Sequence, residues 1–146
     1  MRNSMRDRRS VLQAAYLRTA YWIFPDGRDF KVSVGRNAVA LDRWLGENRW
    51  NCWAFIGAYN PGARLLSGRV NRNRHRALVA HLAHQGREWF PAVAVPAGGS
   101  WPSEPSVFVP GIAIVEARRI ARRFGQNALI FGRRWEAPRL LWCRHP

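Results

Sequence analysis

At 146 residues the chain has the size of one domain, long enough to bury a core and too short for two ordinary ones, and a hydrophobic fraction of 47% excludes intrinsic disorder. Four basic side chains in the first ten residues are followed by no apolar run of signal-peptide or membrane-span length, so a cytoplasmic protein without membrane contact is expected. The net charge of +15, from 23 arginines and one lysine, Lys31, against nine acids, draws polyanions by long-range attraction and counterion release.

Met1 to Ser10, carrying Arg2, Arg6, Arg8 and Arg9, reads as a flexible basic start outside a single domain over 11–146. Val11 to Ala20 reads as a short helix with Leu12, Ala15, Tyr16 and Thr19 on one side, running into an apolar strand Tyr21 to Phe24. Pro25-Asp26-Gly27 supplies a turn, and Phe30, Val32 and Val34 alternate with Lys31 and Ser33, which predicts a hairpin. Asn37 is the candidate N-cap of a helix Ala38 to Gly46 with an apolar stripe of Val39, Leu41, Trp44 and Leu45. The unbroken apolar run Asn51 to Tyr59 suits a central strand covered on both faces.

Beyond Asn60-Pro61-Gly62, Val70 to Gln85 reads as the longest helix, with Val70, Ala77, Leu78, His81 and Leu82 turned inward. Strands Phe90 to Val95 and Ser106 to Val109 flank a Pro/Gly loop. A last helix carries Ala113, Ala117, Ile120, Ala121 and Phe124 at helical spacing, and strands Asn127 to Phe131 and Arg139 to Trp142 finish the chain. The order predicts an α+β fold: a mixed sheet of about six to seven strands with three to four helices packed on it.

Five places carry polar chemistry. Tyr59-Asn60-Pro61-Gly62 leads to the helix beginning near Val70, whose N-terminus with Arg69 and Arg72 suits an anion; Ser67 as a plain cap is the competing reading. Arg118, Arg119, Arg122 and Arg123 form an unmixed cationic face on the last helix, a phosphate or acidic-partner surface or a solvated one. Arg72, Arg74, His75 and Arg76 offer a second basic segment with the same two readings. Glu104, between prolines in Trp101-Pro102-Ser103-Glu104-Pro105-Ser106, is the candidate acid or base, or else the partner of an arginine. Gln126 and Asn127 place two carboxamides between helix and strand, for a ligand edge or a backbone turn.

His75, His81 and His84 share a helix without a zinc motif, Cys52 and Cys143 lack metal spacing, and neither G-x-G-x-x-G nor G-x-x-x-x-G-K-[ST] occurs. No metal and no cofactor are expected.

Taken in order, Ala15-Tyr16-Leu17-Arg18-Thr19-Ala20-Tyr21, Ala58-Tyr59-Asn60-Pro61-Gly62, Asn71, Trp101 to Ser106 and Phe124-Gly125-Gln126-Asn127-Ala128 resemble the bacterial family labelled domain of unknown function 3293. The likeness runs from about Ala14 to Trp142 and brings no activity with it. It implies that Thr19, Tyr21, Tyr59, Asn60, Asn71, Glu104, Gln126 and Asn127, at strand ends and loops, converge on one pocket. It also implies threonine where this chain has Gly57. The leading expectation is a cationic protein binding nucleic acid or nucleotide. Its rivals are a small enzyme acting on a nucleotide or phosphorylated metabolite through Glu104, and an accessory protein docking on an acidic partner.

Overall fold

The computed structural model describes residues 2–144. Helix α1 spans Arg2–Leu17, so the basic start, expected as a flexible segment, is helical and continuous with the predicted helix. Nothing from Arg2 to Leu17 is Pro or Gly, and a helix nucleated around Leu12 and Tyr16 propagates through such residues at little cost.

Strands β1 (Ala20–Ile23) and β2 (Phe30–Val32) form the predicted hairpin, with Tyr21 opposite Val32. Helix α2 (Val39–Glu47) buries Leu41, Trp44 and Leu45, while Val39 is exposed; Ala38 rather than Asn37 stands at its N-cap. Strand β3 (Cys52–Gly57) leads through a single 3-10 turn, Pro61–Ala63, to helix α3 (Gly68–His84). The buried stripe of α3 is Asn71, Leu78 and Leu82; Val70 and Ala77, expected inside, face solvent. Strands β4 (Phe90–Val95) and β5 (Glu104–Pro110), helix α4 (Ile114–Arg123), and strands β6 (Ala128–Arg133) and β7 (Arg139–Trp142) complete the chain.

The α+β class is as expected, but the sheet is antiparallel where a mixed one was predicted. Its order is β2-β1-β4-β5-β3-β6-β7, and every pairing is antiparallel. A helix between two strands suggests a parallel neighbour. Here α4 does connect two strands of the same direction, β5 and β6, but β3 lies between them and pairs with both in the opposite sense.

Alternation along the strands divides the core. Ala54, Ile56, Val107, Val109, Leu129 and Phe131 face α3 and α4, meeting Leu78, Leu82, Ala117, Ile120 and Ala121. Tyr21, Ile23, Trp53, Phe55, Phe108 and Ile130 face the other way, toward Leu41, Trp44 and Leu45 of α2. Both faces of β3 are therefore buried, which is what its unbroken apolar run requires. On the α2 side the filling is aromatic: the Trp44 ring lies 5.5 Å from Trp50 and from Phe90 and 5.9 Å from Phe30.

Two connections shape the ends of the sheet. The Gly35 N–H just past β2 donates to the Pro138 carbonyl just before β7 at 2.9 Å, so the loops at the two outer edges meet. Arg74 of α3 donates through Nε to the Ala58 carbonyl at 2.8 Å and through its terminal nitrogen to the Phe124 carbonyl, binding α3 to the exits of β3 and α4. No helix among the described residues is long and apolar enough to cross a membrane.

Candidate binding pocket

The site begins where β3 ends. Asn60 sits in the left-handed region at φ 47°, which asparagine tolerates better than most side chains. That backbone turn aims its carboxamide inward. Oδ1 accepts from the Leu66 N–H at 2.9 Å and from Asn71 Nδ2 at 2.8 Å, and the Asn60 N–H donates to Asn71 Oδ1 at 2.9 Å. Asn71, on the buried stripe of α3, thus holds Asn60 from behind.

The remaining donor of Asn60, Nδ2, reaches Glu104 Oε1 at 2.7 Å, and Trp101 Nε1 donates to the same oxygen at 3.0 Å. Glu104 is the first residue of β5 rather than part of the loop, and no arginine among the described residues pairs with it. Burial pushes its carboxyl above the usual glutamate range, and the two hydrogen bonds oppose that shift without cancelling it. Both donors address Oε1, which leaves Oε2 open to a cavity.

That cavity, of about 310 Å³, lies on the α2 side of the sheet beneath the C-terminal half of α1. Leu12, Ala15 and Tyr16 of α1 form one wall, and Tyr21, Ala94, Glu104 and Ala128 at the strand ends form the opposite one. Tyr59, Asn60, Trp101, Gln126 and Asn127 close the sides. Helix α1 is held there by Thr19 Oγ1 donating to the Ala15 carbonyl at 2.8 Å, by the Tyr21 hydroxyl donating to the Tyr16 carbonyl at 3.2 Å, and by the Tyr16 ring edge against Trp142. Burial, then the nearby charge of Glu104, pushes the Tyr16 phenol up to about 12, and burial raises Tyr21 as well. Both phenols stay protonated.

The carboxamides divide their roles. Gln126 Nε2 donates to the Tyr59 carbonyl at 3.1 Å and the Phe124 carbonyl at 3.2 Å, so it braces backbone. Asn127 is 6% exposed, and its side chain makes no hydrogen bond among the described residues while lining the cavity. At Gly57 a Cβ would approach Gln126 Oε1 at 3.3 Å and Ser106 Oγ at 3.4 Å, so a threonine there would bear on the brace of the pocket's side rather than on its interior.

Of the residues singled out from sequence, Thr19, Tyr21, Tyr59, Asn60, Glu104, Gln126 and Asn127 meet around this cavity and Asn71 stands behind it. The arginines do not. Arg69 and Arg72 are exposed on α3, where Ser67 Oγ already accepts from the Val70 N–H at 3.2 Å as a plain cap. Arg118, Arg119, Arg122 and Arg123 belong to α4, which covers the opposite face of the sheet. Their face is also not free: Arg119 pairs with Glu116, Arg122 Nε donates to the Cys143 carbonyl at 2.8 Å, and Arg118 is half-buried. Tyr16 and Trp101 line the cavity without having been singled out. Tyr16 was hidden in a stripe that reads as ordinary core, and Trp101 is marked only by its closeness to Glu104.

Residues 56–129 match the model of the family described as Protein of unknown function (DUF3293). No curated protein and no solved structure matches the chain.

Proposed function

The chain belongs to the family of proteins of unknown function DUF3293, and from its pocket we propose that it binds a nucleotide-class ligand with the base in the cavity under α1. The observation that carries this reading is the half-satisfied carboxylate. Glu104 Oε1 is saturated by Asn60 and Trp101, while Oε2 faces a cavity whose other walls are tyrosines, a tryptophan and the free amide of Asn127. A planar heterocycle with a ring N–H or exocyclic amine satisfies Oε2, lies against the aromatic walls and takes the Asn127 amide at its edge.

A volume of about 310 Å³ is enough for a base with its sugar. No arginine lines it, so phosphates point outward, toward cations at the mouth. Arg8, one turn before the lining residue Leu12 on α1, and Arg64, next to the lining residue Ala63, are exposed and are the cations this reading assigns to the phosphates.

Calorimetric titration with a panel of free bases, nucleosides and nucleoside monophosphates tests the reading. Binding of at least one base class is expected, weakened about tenfold or more by Glu104→Gln, which removes roughly 1.4 kcal/mol or more of a charge-assisted hydrogen bond. Silence across the whole panel removes the proposal.

The raised proton affinity of Glu104 in a closed site also supports a second reading, acid or base catalysis on such a ligand. Product formation that Glu104→Gln abolishes, with binding partly retained, distinguishes turnover from binding alone.

A further inference from the structure

On the face of the sheet away from that pocket, α3 and the C-terminal end of α4 enclose an open groove of about 610 Å³. Its floor is Ala77, Ala80 and Phe124, and its walls are Arg74, His81, His84 and Arg123. The alanines explain its depth: a helix face that carried long side chains elsewhere is cut back to methyl groups at 77 and 80, and both are exposed.

The walls are cationic without compensation. Helix α3 contains no acid, and the single acid of α4, Glu116, is engaged by Arg119 and by Arg87 at 4.0 Å. The charged groups around the two histidines are Arg74 and Arg87, from α3 and its exit, and Arg123 from α4; Gln85 Nε2 lies 3.2 Å from His81 Nε2. Helix C-termini attract cations, which would account for basic residues here on its own. The carbonyls at both helix ends already have donors, however: Arg74 holds Phe124 and Arg144 holds Gly125 at α4, and the backbone N–H groups of Gln85, Gly86 and Arg87 hold His81, Ala83 and Leu82 at α3. His81 lines the groove with Gln85 against its ring, and the side chains of His84 and Arg123 make no hydrogen bond among the described residues. Burial first, and then the charges of Arg123, His84 and Arg87, hold the His81 imidazole below its ordinary range.

We propose that the α3–α4 groove binds the phosphates of a polyanion, and that His81 and His84 make this binding stronger as the pH falls. An anion seated between Arg123 and the histidines removes their mutual repulsion and favours the imidazolium forms, so protons are taken up on binding. The shared ligand chemistry is a chain of phosphate groups, whether a phosphodiester backbone or inorganic polyphosphate. The proposal is independent of the pocket reading, because the two sites use opposite faces of the sheet.

Fluorescence anisotropy with a labelled single-stranded oligonucleotide, at low salt and at pH 6 and pH 8, is the direct measurement. About tenfold tighter binding is expected at pH 6, with affinity falling steeply as salt rises. The double variant His81→Gln/His84→Gln should lose the pH dependence, and Arg123→Gln should weaken binding at both pH values and reduce the salt slope by about one. Because His81 also touches the Phe124 ring, His84→Gln/Arg123→Gln, confined to exposed side chains, serves as the variant whose folding is secure. Competition then separates the sources. Displacement by unlabelled oligonucleotide alone assigns the site to nucleic acid, and displacement by inorganic polyphosphate as well assigns it to phosphate chains in general. No binding at low salt, a pH dependence untouched by the double histidine variant, or displacement by polyglutamate as effective as by polyphosphate overturns the proposal, the last in favour of an acidic protein partner.

Discussion

Asn60 has two duties that substitution separates. Its Oδ1 holds the loop to α3 through Leu66 and Asn71, and its Nδ2 neutralises part of the lone-pair demand of Glu104. Asn60→Ala leaves the Leu66 N–H, Asn71 and Glu104 short of partners and puts alanine in the left-handed region, so a loss of about 2–4 kcal/mol is expected by chemical denaturation. Asn60→Asp keeps the acceptor and tolerates the backbone but sets a second carboxylate against Glu104. Its cost should be small at pH 5, where one of the pair holds a proton, and larger at pH 8. Glu104 itself gives a pH dependence of defined sign. Its folded proton affinity exceeds the unfolded one, so its contribution to stability is complete below the ordinary glutamate range and is lost as pH rises through the raised value. Glu104→Gln should flatten that fall in a series of denaturation curves from pH 4 to pH 8, and an unchanged slope would assign it to another group.

At the scale of elements, what could be read from sequence was whatever the hydrophobic period alone decides. Strand β3 announced its central place by an unbroken run from Cys52 to Ile56, and α4 by Ala117, Ile120 and Ala121. The stripe of α3 holds at Leu78 and Leu82 and fails at Val70, because the inward residue of the first turn is Asn71, a polar side chain buried for its hydrogen bonds, which no apolar count detects. The N-terminal turns of α1 were missed for a related reason: they are helical by propensity and have no apolar stripe to show it. The polar groups of the pocket stood at strand ends and loops, as the family resemblance implied. The arginines were conspicuous by number, and number says nothing of which face of a sheet a helix covers. One packing detail lay beyond any period. Gly132 of β6 passes against the indole of Trp53, and a Cβ at 132 would overlap that ring. Trp53 is fully buried, so Gly132→Ala should cost about 3 kcal/mol or more, where Gly→Ala in a strand is ordinarily a small gain. A melting temperature within a degree or two of the parent would show that the sheet yields there.

For the whole molecule, a net charge of +15 on 146 residues implies self-repulsion that the folded state must bear. Salt screens it over a Debye length of about 8 Å at physiological ionic strength, so the thermal midpoint should rise between about 20 mM and 150 mM sodium chloride. Sulfate or phosphate at equal ionic strength should raise it further if the basic groove takes anions. The two outer strands are short, three residues in β2 and four in β7, and carry Lys31 and Arg139, exposed cations that discourage pairing with another chain. The hydrogen bond from Gly35 to Pro138 joins the loops beside those strands across more than a hundred residues of sequence. Its amide proton is therefore a clock for the junction of the two edges. That proton is shielded only while the two edges stand together, so its exchange with deuterium counts each parting of the edges, whether one loop frays or the sheet opens.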